Sequence, residues 1–141
     1  MSQTNVQFSV ASHVMTALAD RHGQPIRSAE LAESVNADPS FVRRVLSKLA
    51  KAGLVATSQG RNGACSLARS PAAITLLDIY RASEAPPAFA IHKYPAEARC
   101  AISCNIKSCL EDVLTQAQQG LEQSLKKQTL ASLVRRARSG R

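Results

Sequence analysis

The run over residues 28–69, SAELAESVNADPSFVRRVLSKLAKAGLVATSQGRNGACSLAR, changes its apolar period twice, and few folds accept that order of elements. Ser28 opens it, with Glu30 and Glu33 in the first turns of a short helix over 28–34. A serine oxygen can accept from an early helical amide, and acids suit the positive end of the helix. Asn36, Ala37 and Asp38 interrupt this helix, since Asn and Asp tolerate turn geometry, and Pro39 suits the first position of a new helix capped by Asp38. In that second helix Phe41, Val42, Val45, Leu46 and Leu49 recur on one face, while Arg43, Arg44, Ser47, Lys48 and Lys51 take the remaining surface. Gly53 stops it, and two short strands over 54–58 and 64–68 flank a Gly- and Asn-containing tip at 59–63. This order predicts a winged helix-turn-helix within a mainly α chain carrying a small β-wing.

In such a unit the second helix presents its first turns to base edges in the major groove. Ser40, Arg43 and Arg44 therefore become candidates for bases or flanking phosphates, with Lys48 further along the backbone. Arg61 at the wing tip suits a phosphate or the minor groove, and Ser28 offers a hydroxyl and an amide to a phosphate. Isolated cationic faces are usually only solvated. Here the order of turn, basic helix and wing favours double-stranded DNA as the partner.

Composition agrees. The net charge of +8 suits a polyanionic partner, although four arginines (Arg135, Arg136, Arg138 and Arg141) account for half of it. Residues 135–141 read as a basic, disordered tail, either an arm on DNA or a solubilising end. No paired acid and base, phosphate loop or nucleophile motif indicates an enzyme. No run is long and apolar enough to span a bilayer and no leader pattern opens the chain, so a cytoplasmic protein without membrane contact is expected.

The remaining elements supply a core and a partner surface. A first helix over 6–19 carries Phe8, Val10, Ala11, Val14, Met15 and Leu18 on a broad apolar face; His13 within it reads as structural. Residues 75–82 form another amphipathic helix, and residues 1–84 make up the winged-helix domain. After a Pro-containing connection over 85–100, a long helix region over 101–134 carries Ile106, Leu110, Val113, Ala117, Leu121 and Leu125 every three or four residues. A small domain cannot cover such a stripe. Packing it on a second copy makes a homodimer that presents two helix-turn-helix units to a palindromic site.

Four cysteines in such a chain leave metal, redox or packing roles open. Cys100, Cys104 and Cys109 cluster where the long helix begins. The first two share a helical face and the third lies about 140° from Cys104. No CxxC pair or downstream histidine completes a zinc pattern. Reversible thiol oxidation, ligation of an iron-sulfur cluster with a further ligand such as His92, and plain packing all remain candidates. No metal or cofactor is assigned. Cys65 falls in the wing.

The segments FSVASHVMTALA, SAELAESVNADPSFVRRVLSKLAKAGLV, GRNGACSLARSPAAITLLDIYRA and CAISCNIKSCLEDVLTQAQQGLEQSLKKQTLASLV together resemble the Rrf-two family of bacterial transcriptional regulators over nearly the whole chain. The resemblance implies a winged-helix homodimer on palindromic promoter DNA, often a repressor, with the long helix crossing to the partner subunit. Some members hold a 2Fe-2S or 4Fe-4S cluster on three cysteines in this connection. The stretch CAISCNIKS instead resembles the CPVGxNIQ segment of the YwnA-like subgroup, in which a cluster is not generally expected. Cys100 matches that subgroup's cysteine; Cys104 and Cys109 are extra.

Overall fold

The computed structural model describes residues 6–21, 23–58 and 63–140. The chain divides into two compact units, residues 1–85 with 125–141, and residues 86–124.

The first unit is built around helix α1 (Gln7–Asp20). Val14, Met15 and Leu18 of α1 are almost completely buried, and α2 (Ser28–Val35), α3 (Pro39–Lys51) and α4 (Leu76–Ala82) pack around it. Helix α2 ends at Asn36, whose φ of 60° is left-handed and lets Ala37 N–H donate to the Ala32 carbonyl at 3.1 Å. Asp38 then caps α3, its side chain accepting from Phe41 N–H at 3.2 Å, with Pro39 in the first turn. At the other end of α3, Gly53 adopts φ 78°. Its N–H donates to the Ala50 carbonyl at 3.0 Å and Leu54 N–H reaches the Leu49 carbonyl at 3.0 Å, a Schellman stop that turns the buried Leu54 into the sheet.

Strands β2 (Val55–Thr57) and β3 (Ala64–Leu67) pair antiparallel as the wing. The sheet has a third strand that the sequence pattern does not reveal, β1 (Ile26–Arg27), so that β3 is central. Two residues are too few to show a period, although Ile26 is buried. Cys65 lies in the central strand, 3% exposed, and burial pushes its thiol above the usual range.

A 3-10 turn (Pro71–Ala73) follows, and Thr75 and Asp78 close a reciprocal capping box at the start of α4. In the second unit the connection contains no helix or strand, and α5 runs Ala101–Lys126.

The C-terminal region corrects two expectations. One helix region over 101–134 is in fact two helices, and the basic tail over 135–141 is ordered through Gly140: α6 spans Leu130–Ser139. The break arises because residues 128–130 are drawn into extended pairing with residues 74–76. Leu76 N–H donates to the Gln128 carbonyl at 2.9 Å and Leu130 N–H to the Ile74 carbonyl at 2.8 Å. Thr129 then caps α6 by accepting from Ser132 N–H at 3.1 Å. Leu130 is fully buried, Val134 packs on the same core, and Arg138 pairs with Asp20 of α1. The winged-helix unit therefore closes with this returning helix rather than at residue 84, and Arg141 lies outside the described residues.

Leu130→Ala should lower unfolding stability by about 3 kcal/mol, as expected for a fully buried leucine, read as a shift of the urea midpoint. Cys65 should resist a thiol reagent in the native protein while Cys100, Cys104 and Cys109, all exposed, are labelled; a count of four modified thiols without denaturant would contradict the burial.

Candidate nucleic-acid interface

Helix α3 is divided cleanly between core and solvent. Val42, Val45, Leu46 and Leu49 are buried, whereas Ser40, Arg43, Arg44, Ser47 and Lys51 are exposed. At about 100° per residue these five exposed positions fall within roughly a third of the helix circumference, opposite the core face. The row contains three cations and two hydroxyls and no acid.

Local contacts hold the two arginines near the start of the helix. Arg43 donates through its guanidinium to Ser40 Oγ at 3.3 Å, and the Arg44 guanidinium lies 5.7 Å from the Phe41 ring centroid. Two planar donor forks are thus presented side by side, a chemistry suited to phosphate oxygens and to the acceptor edge of guanine.

Lys48 and Ser28 behave differently from the sequence expectation. Lys48 Nζ donates to Gln7 Oε1 at 3.2 Å and lies 3.6 Å from a Glu84 carboxylate oxygen. It is a tie among α1, α3 and the end of α4, because it sits nearer the core flank of the helix than Arg44 does. Ser28 is the first helical residue and not the cap; that position falls on Arg27, which makes no side-chain cap bond. The Ser28 amide donates to the Gly63 carbonyl at 3.3 Å, so β1 and the wing have taken the group expected to face a phosphate. Arg61, with the wing tip at 59–62, lies outside the described residues. Sequence reasoning did not place Lys51 and Ser47 with the candidate ligands, although their spacing from Ser40 and Arg44 carries the signal.

His13 is exposed and its Nε2 lies 3.0 Å from Ser34 Oγ, a link between α1 and α2 consistent with a structural role. The helix-proximal thiols occupy the second unit. Cys100 precedes α5, and its sulfur accepts from Ser103 N–H at 3.4 Å. The Cys104 thiol lies 3.6 Å from the Glu97 carbonyl and 3.8 Å from that of Ala98. Cys109 projects from the opposite side of the helix, about 180° from Cys100. Among the described residues no three His, Cys, Asp or Glu side chains gather as a metal-binding group. A cluster held by Cys100, Cys104 and Cys109 of one chain does not fit this arrangement. Among the described residues, no helix is long and apolar enough to cross a membrane.

Comparison with known proteins follows the same lines. The profile of the Rrf2 family, described as iron-dependent transcriptional regulators, matches residues 4–136. The Bacillus subtilis protein YwnA, classed as an HTH-type transcriptional regulator, is 31% identical over 92% of this chain and 96% of its own length. The crystal structure of a Lactobacillus plantarum protein described as a transcriptional regulator superposes with a TM-score of 0.78 at 29% identity, covering 94% of this chain and 90% of that one. The structure of CymR, the global cysteine regulator of B. subtilis, shares the fold with a TM-score of 0.67 at 23% identity over 95% of this chain and 97% of its own. These relatives are regulators and not enzymes. With its winged helix-turn-helix, long C-terminal helix and a family match across nearly the whole sequence, the chain belongs to the Rrf2 family of transcriptional regulators.

Proposed function

We propose that this protein is a homodimeric, sequence-specific repressor that binds palindromic double-stranded DNA and whose affinity responds to thiol oxidation. The observation that carries the DNA reading is the acid-free row of Ser40, Arg43, Arg44, Ser47 and Lys51, exposed on α3 and backed by a fully packed core. The two arginines take the base-edge and phosphate roles, and Lys51 a phosphate role.

The dimer reading rests on α5. Leu110, Leu121 and Leu125 of the expected stripe are half-buried in the chain itself, but Ile106 and Val113 remain 36% and 59% exposed, and Ile102 joins them at 71%. With Cys109 and Ala117 they form a seam at heptad-like spacing, which a twin helix would cover.

The redox reading rests on Cys100 and Cys104, both exposed and one helical turn apart at the start of α5. Their separation along the helix, about 6 Å between Cα atoms, lies within disulfide range. With hydrogen peroxide as oxidant, the two thiols lose their hydrogens, one sulfur–sulfur bond forms, and the peroxide leaves as two waters.

Arg43→Ala combined with Arg44→Ala should weaken operator binding at least a hundredfold in a mobility-shift titration, with the dimer and the unfolding midpoint unchanged. Val113→Glu should sediment as a monomer and lose operator affinity with the urea midpoint retained. Peroxide should shift the wild-type titration several-fold and leave a Cys100→Ser, Cys104→Ser, Cys109→Ser variant unmoved. Equal affinities in all four conditions would sink the thiol element and leave the DNA reading intact.

A further inference from the structure

Glu84 occupies a backbone position better suited to glycine. It follows α4 with φ 56°, in the left-handed region, and its N–H donates to the Arg81 carbonyl at 3.2 Å. A Cβ raises the energy of that conformation, which glycine or asparagine commonly adopts at a helix end. A carboxylate there also sits beside the unsatisfied carbonyls that close α4, the negative end of the helix. Both effects disfavour glutamate, so the question is what its carboxylate touches.

It touches a lysine of α3: one carboxylate oxygen lies 3.6 Å from Lys48 Nζ. Such a pair adds little to the fold. The Glu84 side chain is 66% exposed, and exposed ion pairs are weak because water screens them. Burial of Val42, Val45, Leu46 and Leu49 already sets the orientation of α3, and Gln7 Oε1 also accepts from Lys48 Nζ. The charge of Glu84 therefore acts on the lysine rather than on the helix.

Lys48 stands one turn beyond Arg44 and about 40° around α3 from it, at the edge of the exposed cationic row. Arg44 and Lys51, at the i−4 and i+3 positions, are its neighbours on the helix surface. A DNA backbone lying along that row brings phosphates within reach of the flexible lysine stem, which then has two kinds of anion to pair with. A lysine–phosphate contact is blind to base sequence and strengthens binding to every duplex alike.

We propose that Glu84 sets the affinity of the DNA interface: its carboxylate competes with DNA phosphates for Lys48 and so holds down sequence-independent binding. The proposal rests on the DNA-binding reading above.

The test is an anisotropy titration of the full chain with a short mixed-sequence duplex over a series of salt concentrations. Glu84→Gln should bind several-fold tighter than the wild type, and the slope of log affinity against log salt should steepen by about 0.9, as one further phosphate is neutralised. In a Lys48→Met background the same substitution should change neither quantity, whereas a general gain in positive charge would persist there. Glu84→Gly, which also relieves the left-handed backbone, should match Glu84→Gln without lowering the urea midpoint. Weaker or unchanged binding in both Glu84 variants, an unchanged salt slope, or the same gain with Lys48 replaced would overturn the proposal. Arg43→Ala with Arg44→Ala on the same duplex reports the DNA reading by itself. Weakened binding there beside flat Glu84 variants defeats the competition alone, and binding indifferent to both arginines defeats α3 as the interface and the proposal with it.

Discussion

Burial of the apolar girdle of α1 is the interaction on which the first unit depends. Val14, Met15 and Leu18 meet side chains from α2, α3 and α4, and the returning α6 lies on its outer flank. Each of these helices is short, and isolated helices of such length are marginal in water. They persist because one stripe of each is removed from water against the same central element. The orientation of α3 follows: once Val42, Val45, Leu46 and Leu49 are committed to the core, Arg43 and Arg44 have only solvent to face. An exposed cationic row is thus a consequence of packing as much as of composition.

Two small backbone devices make that commitment geometrically possible. Asn36 in the left-handed region reverses the chain between α2 and α3, and Gly53 ends α3 so that Leu54 enters the core beside the wing. Strand β1 then fastens the start of α2 to the wing, which explains why the Ser28 amide is engaged. Lys48 is likewise drawn inward by Gln7 and Glu84. The polar surface left over is narrower than the basic residues of the helix alone suggest, and it centres on the first two turns.

Helix α5 has two unlike faces for a comparable reason. Hydrogen bonds from the connection cover the side bearing Ser103, Lys107 and Gln118, leaving Ile102, Ile106 and Val113 uncovered. One helix thereby offers an apolar seam and, bordering it at Ala117, a cavity against the start of the connection. The thiols follow the same division: Cys100 and Cys104 lie toward the connection, whereas Cys109 belongs with the seam.

The sequence by itself determined helices α1 to α4, the start of α5 and the wing hairpin, because helical period, the Asn36 to Pro39 break, Gly53 and the hairpin pattern are local properties encoded within a few residues of where they act. It also determined that α3 has a cationic side and that a long helix follows the wing. Only the tertiary structure decided which of those polar groups stay available. A two-residue strand has no period to read, and the partners of Lys48 and the Ser28 amide are distant in the chain. The C-terminal arginines show the same limit: their charge suggests a loose tail, but burial of Leu130 and pairing of residues 128–130 with 74–76 convert it into a packed helix. Such long-range pairings depend on two segments meeting, and neither segment announces the other.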